Sequence, residues 1–116
     1  MALVIETKEV ELLLNTKVIT ENTSGEITDD IVIIDSQINN NVDIVYTLPP
    51  ANLCEGKAIR VICKGAESNA VVQAISGDDI VGTSTYPPFA MLAVGDFGVF
   101  ISDGLSKWYL NEFRIT

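Results

Sequence analysis

The feature that most constrains this chain is a series of short apolar stretches, several with a period of two, each closed by turn residues. Val42, Ile44, Tyr46 and Leu48 alternate with Asp43 and Thr47. Ile59, Val61 and Cys63 alternate with Arg60 and Lys64, and Phe97, Val99 and Ile101 alternate with Gly98, Phe100 and Ser102. A period of two sends successive side chains to opposite faces of a strand, whereas a helix needs a period near 3.6. The unbroken run Ile31–Ile34, closed by Asp35, reads as a strand covered on both faces. Further strands are expected over 71–75, 89–94 and 107–113. Between them lie the turn clusters Asn22-Thr23-Ser24-Gly25, Ser76-Gly77-Asp78-Asp79 and Gly95-Asp96. Pro49-Pro50 ends a strand, because proline donates nothing to a ladder. Ile80-Val81-Gly82 leads into a loop, and Asp103-Gly104 marks a hairpin. About eight short strands without a strong amphipathic helix predict an all-β chain. The expected form is an antiparallel β-sandwich or jelly-roll-like domain with an extended N-terminal arm. Residues 1–25 are assigned to the arm or edge strands and residues 26–116 to the sandwich.

Composition narrows the function. The 116 residues fit one domain, and 47% are apolar, enough for a core. Seven basic and sixteen acidic side chains leave a net charge of −9. Such a surface repels a phosphate backbone or an anionic membrane, so neither nucleic acid nor membrane is expected as a partner. The apolar runs fall far short of the ~20 residues of a membrane helix, and residues 1–5 do not read as a secretory leader. Synthesis in a cytosol is expected, with Cys54 and Cys63 as free thiols and Cys63 a small buried apolar residue.

Catalytic chemistry is sought without result. The chain has no histidine, which removes the commonest general base and metal ligand. No catalytic, cofactor-binding or metal-binding residue is assigned. Asp29-Asp30 and Asp78-Asp79 are read first as solvated turn carboxylates. Calcium binding is the second reading and a glycosidase pair a remote third. Tyr86, Pro87, Pro88 and Phe89 form either an exposed contact loop or a rigid crossover that buries Phe89. Trp108 and Tyr109 fall on opposite faces of one strand, leaving open which of them is buried.

An ordered set of motifs runs through the second half: Thr47-Leu48-Pro49-Pro50-Ala51, Gly56-Lys57-Ala58-Ile59, residues 71–75, Gly77-Asp78-Asp79-Ile80-Val81-Gly82, Ile101-Ser102-Asp103-Gly104 and Trp108-Tyr109. The set resembles a β-module of bacteriophage virions, found in head decoration (cement) proteins and in head or tail fibres. The resemblance covers roughly residues 42–113. It implies a non-enzymatic capsid decoration protein, made in the bacterial cytoplasm and bound to the outer capsid surface as a homotrimer. Its partners would be the major capsid protein and other copies of itself. The alternative is a head- or tail-fibre module that grips host surface glycan. The first forty or so residues depart from the shared pattern. Ala2, Leu3, Val4, Ile5, Glu6 and Thr7 are therefore the expected contact with the capsid or a neighbouring subunit, by strand addition to an exposed edge.

Overall fold

The computed structural model describes residues 14–35, 43–65, 70–82, 89–91 and 93–115. Among them run ten strands: β1 Thr16–Ile19, β2 Thr23–Ser24, β3 Ile31–Ile34, β4 Ile44–Thr47, β5 Ala58–Cys63, β6 Ala70–Gln73, β7 Asp79–Val81, β8 Phe89–Met91, β9 Phe97–Ser102 and β10 Lys107–Arg114. A short 3-10 turn, Ala51–Leu53, follows Pro50. The strands form a six-stranded sheet in the order β1-β3-β5-β9-β10-β7 and a four-stranded sheet in the order β2-β4-β6-β8.

The first six strands alternate between the sheets, so each odd strand pairs in parallel with the next odd one and each even strand with the next even one. Parallel neighbours need a crossover, normally a helix. Here each crossover is the strand laid in the opposite sheet. The result is a flat two-sheet winding of three turns. Antiparallel strands then close it: β8 pairs with β6, β9 with β5 and β10 with β9. β7 returns to parallel pairing against β10. The all-β expectation holds. The antiparallel expectation is corrected for the first six strands, because period two reports which face is buried and not the direction of the neighbour.

Inward-facing residues of both sheets merge in one core. Val32, Ile34, Ile59, Val61, Phe100 and Trp108 meet Ile44, Tyr46, Val72 and Met91, all fully buried. Each large side chain contributes about 1.5–3 kcal/mol by leaving water. Cys54 and Cys63 are buried free thiols, and burial raises both above the usual thiol range. The Cys63 thiol donates to the Gly65 carbonyl at 2.9 Å.

Several local readings change. β2 falls inside the cluster expected to be a turn. Ile80 and Val81, expected to lead into a loop, belong to β7. The strand expected over 89–94 ends at Met91. β3 is covered on one face only: Val32 and Ile34 are buried, while Ile31 and Ile33 are partly exposed on the outer side.

Candidate functional site

The motif pieces scattered along the second half converge on residues 49–51. The Trp108 indole N–H donates to the Pro49 carbonyl at 3.1 Å, across 59 positions of sequence. The Ser102 hydroxyl donates to the Ala51 carbonyl at 2.8 Å, and the Ala51 N–H donates to the Asp78 carboxylate at 2.9 Å. The Gly104 N–H in turn donates to the Ser102 hydroxyl at 3.0 Å. Gly104 has a φ of 80°, and a Cβ there would lie 2.8 Å from the Glu55 Cβ. Asp103 accepts from the N–H groups of Leu105, Ser106 and Lys107 and locks the turn into β10. Those bonds, Leu105 foremost, hold its carboxyl below the usual range. The cluster is a polar knot between the sheets. Its groups bond one another, so it serves as a staple.

The carboxylates singled out from sequence are likewise partnered. Asp29 is buried, and it accepts from the Tyr46 hydroxyl at 2.7 Å and the Glu26 N–H at 2.9 Å. Lys17 lies 3.0 Å from it and 5.9 Å from the Tyr46 ring centroid. Burial alone would raise this carboxyl, but the donors outweigh burial and hold it below its ordinary range. Burial, foremost, and the neighbouring Asp29 push the Tyr46 phenol upward. Asp30 pairs with Lys57 at 2.6 Å and accepts from the Asn15 N–H at 2.8 Å. The Lys57 ammonium, foremost, and the Asn15 N–H lower it. Asp78 accepts from Ala51, and Asp79 sits on β7 beside Lys107 at 3.6 Å. The reading of Asp29 as a solvated turn carboxylate is thus corrected: it is buried, because Tyr46 reaches it from the opposite sheet. Among the described residues no group of three acidic, cysteine or histidine side chains is placed to hold a metal.

The outer faces of the two sheets remain as places for a partner. On the four-stranded sheet, Ser24, Thr47 and Gln73 form one row, with the Gln73 amide donating to the Thr47 hydroxyl at 3.1 Å. With Asn22, Thr23 and Val45 they line a shallow polar groove of about 220 Å³. The six-stranded sheet presents Val18, Ile33, Ile62, Phe97 and Arg114 in one row across the strands. A second row is Thr16, Ile31, Arg60, Val99 and Glu112. A third is Ala58, Ile101, Tyr109 and Val81. The Arg60 guanidinium stacks over the Phe97 ring at 4.5 Å. This apolar face escaped the sequence reading, because its residues become neighbours only through the strand order. The available signal was that β3 and β9 are apolar on both faces.

Residues 2–7 and Tyr86, Pro87 and Pro88 lie outside the described residues. Phe89 opens β8 opposite Val72. Trp108 is fully buried while Tyr109, on the other face of β10, is 44% exposed. No helix among the described residues is long and apolar enough to cross a membrane. Compared with family models, with curated proteins and with solved structures, the chain finds no match.

Proposed function

We propose that this chain is a bacteriophage capsid decoration protein, a non-enzymatic β-sandwich or jelly-roll-like module that binds the outer shell as a homotrimer and strengthens it. The observation that carries the reading is the knot at residues 49–51. The motif pieces that resemble the virion module, from Pro49 and Ala51 through Asp78 and Ser102 to Trp108, meet in one network of staples. A pattern spread over half a chain and spent on internal bonds suits a rigid structural subunit. Each subunit would hold the major capsid protein weakly, and the linked copies would bind strongly through effective concentration. Residues 2–7 remain the proposed contact with the shell.

The test is cryo-electron microscopy of the parent virion. Density for this chain on the outer capsid at three-fold or quasi-three-fold positions is expected; its absence from the head would overturn the reading. Deleting residues 2–7 should abolish binding to undecorated shells in co-sedimentation while the domain stays folded. The groove lined by Asn22, Thr47 and Gln73 favours one second reading, a fibre module that holds host glycan through amide and hydroxyl groups. Glycan-array binding lost in Gln73→Ala would support that alternative.

A further inference from the structure

We propose that the outer face of the six-stranded sheet is the contact between copies of this chain. The face is broad, since five strand spacings of ~4.8 Å make it about 24 Å across. Large side chains near both ends of the sheet stand in solvent: Val18 on the edge strand β1 is 55% exposed and Tyr109 on β10, beside the other edge strand, is 44% exposed. Ile33, Ile62, Phe97 and Ile101 bridge the space between them. A contiguous apolar patch of this kind marks an interaction site in a water-borne protein.

Charge selects the occupant. The chain carries −9, so two copies meeting through most of their surface repel one another. The three rows across this face hold one carboxylate, Glu112, against the cations Arg60 and Arg114, and in the next row of the same face Asp79 is offset by Lys107 at 3.6 Å. Among the described residues this face lets a second acidic copy approach on large apolar groups with its few charges offset. Arg60, flat over Phe97, keeps its charge in the plane of the face and adds stacking area. Two such sheets interdigitate at ~10 Å, as the layers of a sandwich do. Three of them turned toward a common axis form a three-sided prism. The described outer face of the four-stranded sheet pairs the polar row Ser24, Thr47 and Gln73 with a smaller apolar row, Val45, Val71 and Ala90.

The inference deepens the oligomer of the proposed function, yet purified full-length protein tests it without any virion. Sedimentation velocity from low to high micromolar concentration is run on wild type, Tyr109→Asp, Val18→Lys and, as a control on the β9–β10 turn, Leu105→Asp. Wild type is expected as a closed oligomer. Tyr109→Asp and Val18→Lys should each weaken association by about tenfold or more. Leu105→Asp, at a residue 74% exposed and off the face, should leave it unchanged. Circular dichroism checks that each variant folds, and the two face variants sit on distant strands, so either one alone reads the interface. A wild type that stays monomeric throughout, or an oligomer indifferent to both face variants, overturns the proposal. An equal loss in Leu105→Asp overturns it as well. Monomeric protein that still decorates shells would sink this interface and leave the decoration reading standing.

Discussion

The winding of β1–β6 and the closure of β7–β10 are held together in different ways. In the winding, parallel ladders carry the backbone, and a carboxylate, Asp29, ties Lys17 on β1 to Tyr46 on the opposite sheet. In the closure, antiparallel ladders carry β8, β9 and β10 while β7 pairs in parallel with β10, and the Ser102 hydroxyl and Trp108 indole tie β9 and β10 to residues 49–51. The first half is stapled by a buried carboxylate facing a cation, and the second by an indole, a hydroxyl and two carboxylates, Asp78 and Asp103, that accept backbone N–H groups. Charge-assisted bonds are strong but answer to pH, whereas the indole bond does not.

The largest expected effect tests the closure. Trp108→Ala removes a fully buried ring and orphans the Pro49 carbonyl. It should cost about 3–5 kcal/mol in denaturant unfolding. Amide exchange should quicken more in β9 and β10 than in β3. Next comes Asp29→Ala, which strips the acceptor from the Tyr46 hydroxyl and the Glu26 N–H. A loss of about 2–3 kcal/mol is expected, with the order of exchange reversed. Uniform loss of protection in both variants would mean that the halves form one cooperative unit and that the contrast has no energetic content.

Acid should act more gently, and on both halves. Asp29, Asp30 and Asp103 titrate lower in the folded chain than in the unfolded one, so below neutrality the unfolded state takes up protons first. Their contribution is present above the ordinary carboxylate range and disappears as pH falls through the lowered values. The unfolding midpoint should therefore drop below about pH 4, and Asp29→Ala should flatten that drop. The smallest effect is expected for Asp79→Asn. Its partner Lys107 lies at 3.6 Å, and the Asp79 side chain is 74% exposed. Thermal unfolding should move by under ~0.5 kcal/mol. A larger shift would show that β7 is anchored through this pair.

The same contrast explains what could be read from the chain. The closure was legible. Asp103-Gly104 marks its hairpin and the alternation in β9 places that strand, although β7 lies where a loop is expected. The winding was illegible as a winding. Thr16 pairs with Ile31, but Ile31 pairs with Arg60, so the spacing from turn to turn nearly doubles and no repeat shows. Connections of unequal length erase the period that repeat architectures normally display. Short strands such as Thr23–Ser24 carry too few residues for any pattern, and their place comes from their partner on β4. The burial of Asp29 could not be read either, because it depends on Tyr46 arriving from the other sheet. The knot was visible as a list of motifs, but that they touch is a fact of three dimensions.

The strand alternation has a consequence for how such a chain can change. A turn of the winding is one strand in each sheet, and a new turn needs only a neighbour to lie against. Among the described strands, β1 and β2 each end a sheet on the side away from the closure. An extra strand pair grafted ahead of Thr16 would extend both sheets at once and leave the knot at residues 49–51 untouched. Height is thus an adjustable dimension of this architecture, set by duplication of a modest segment, while the cap that terminates it stays constant.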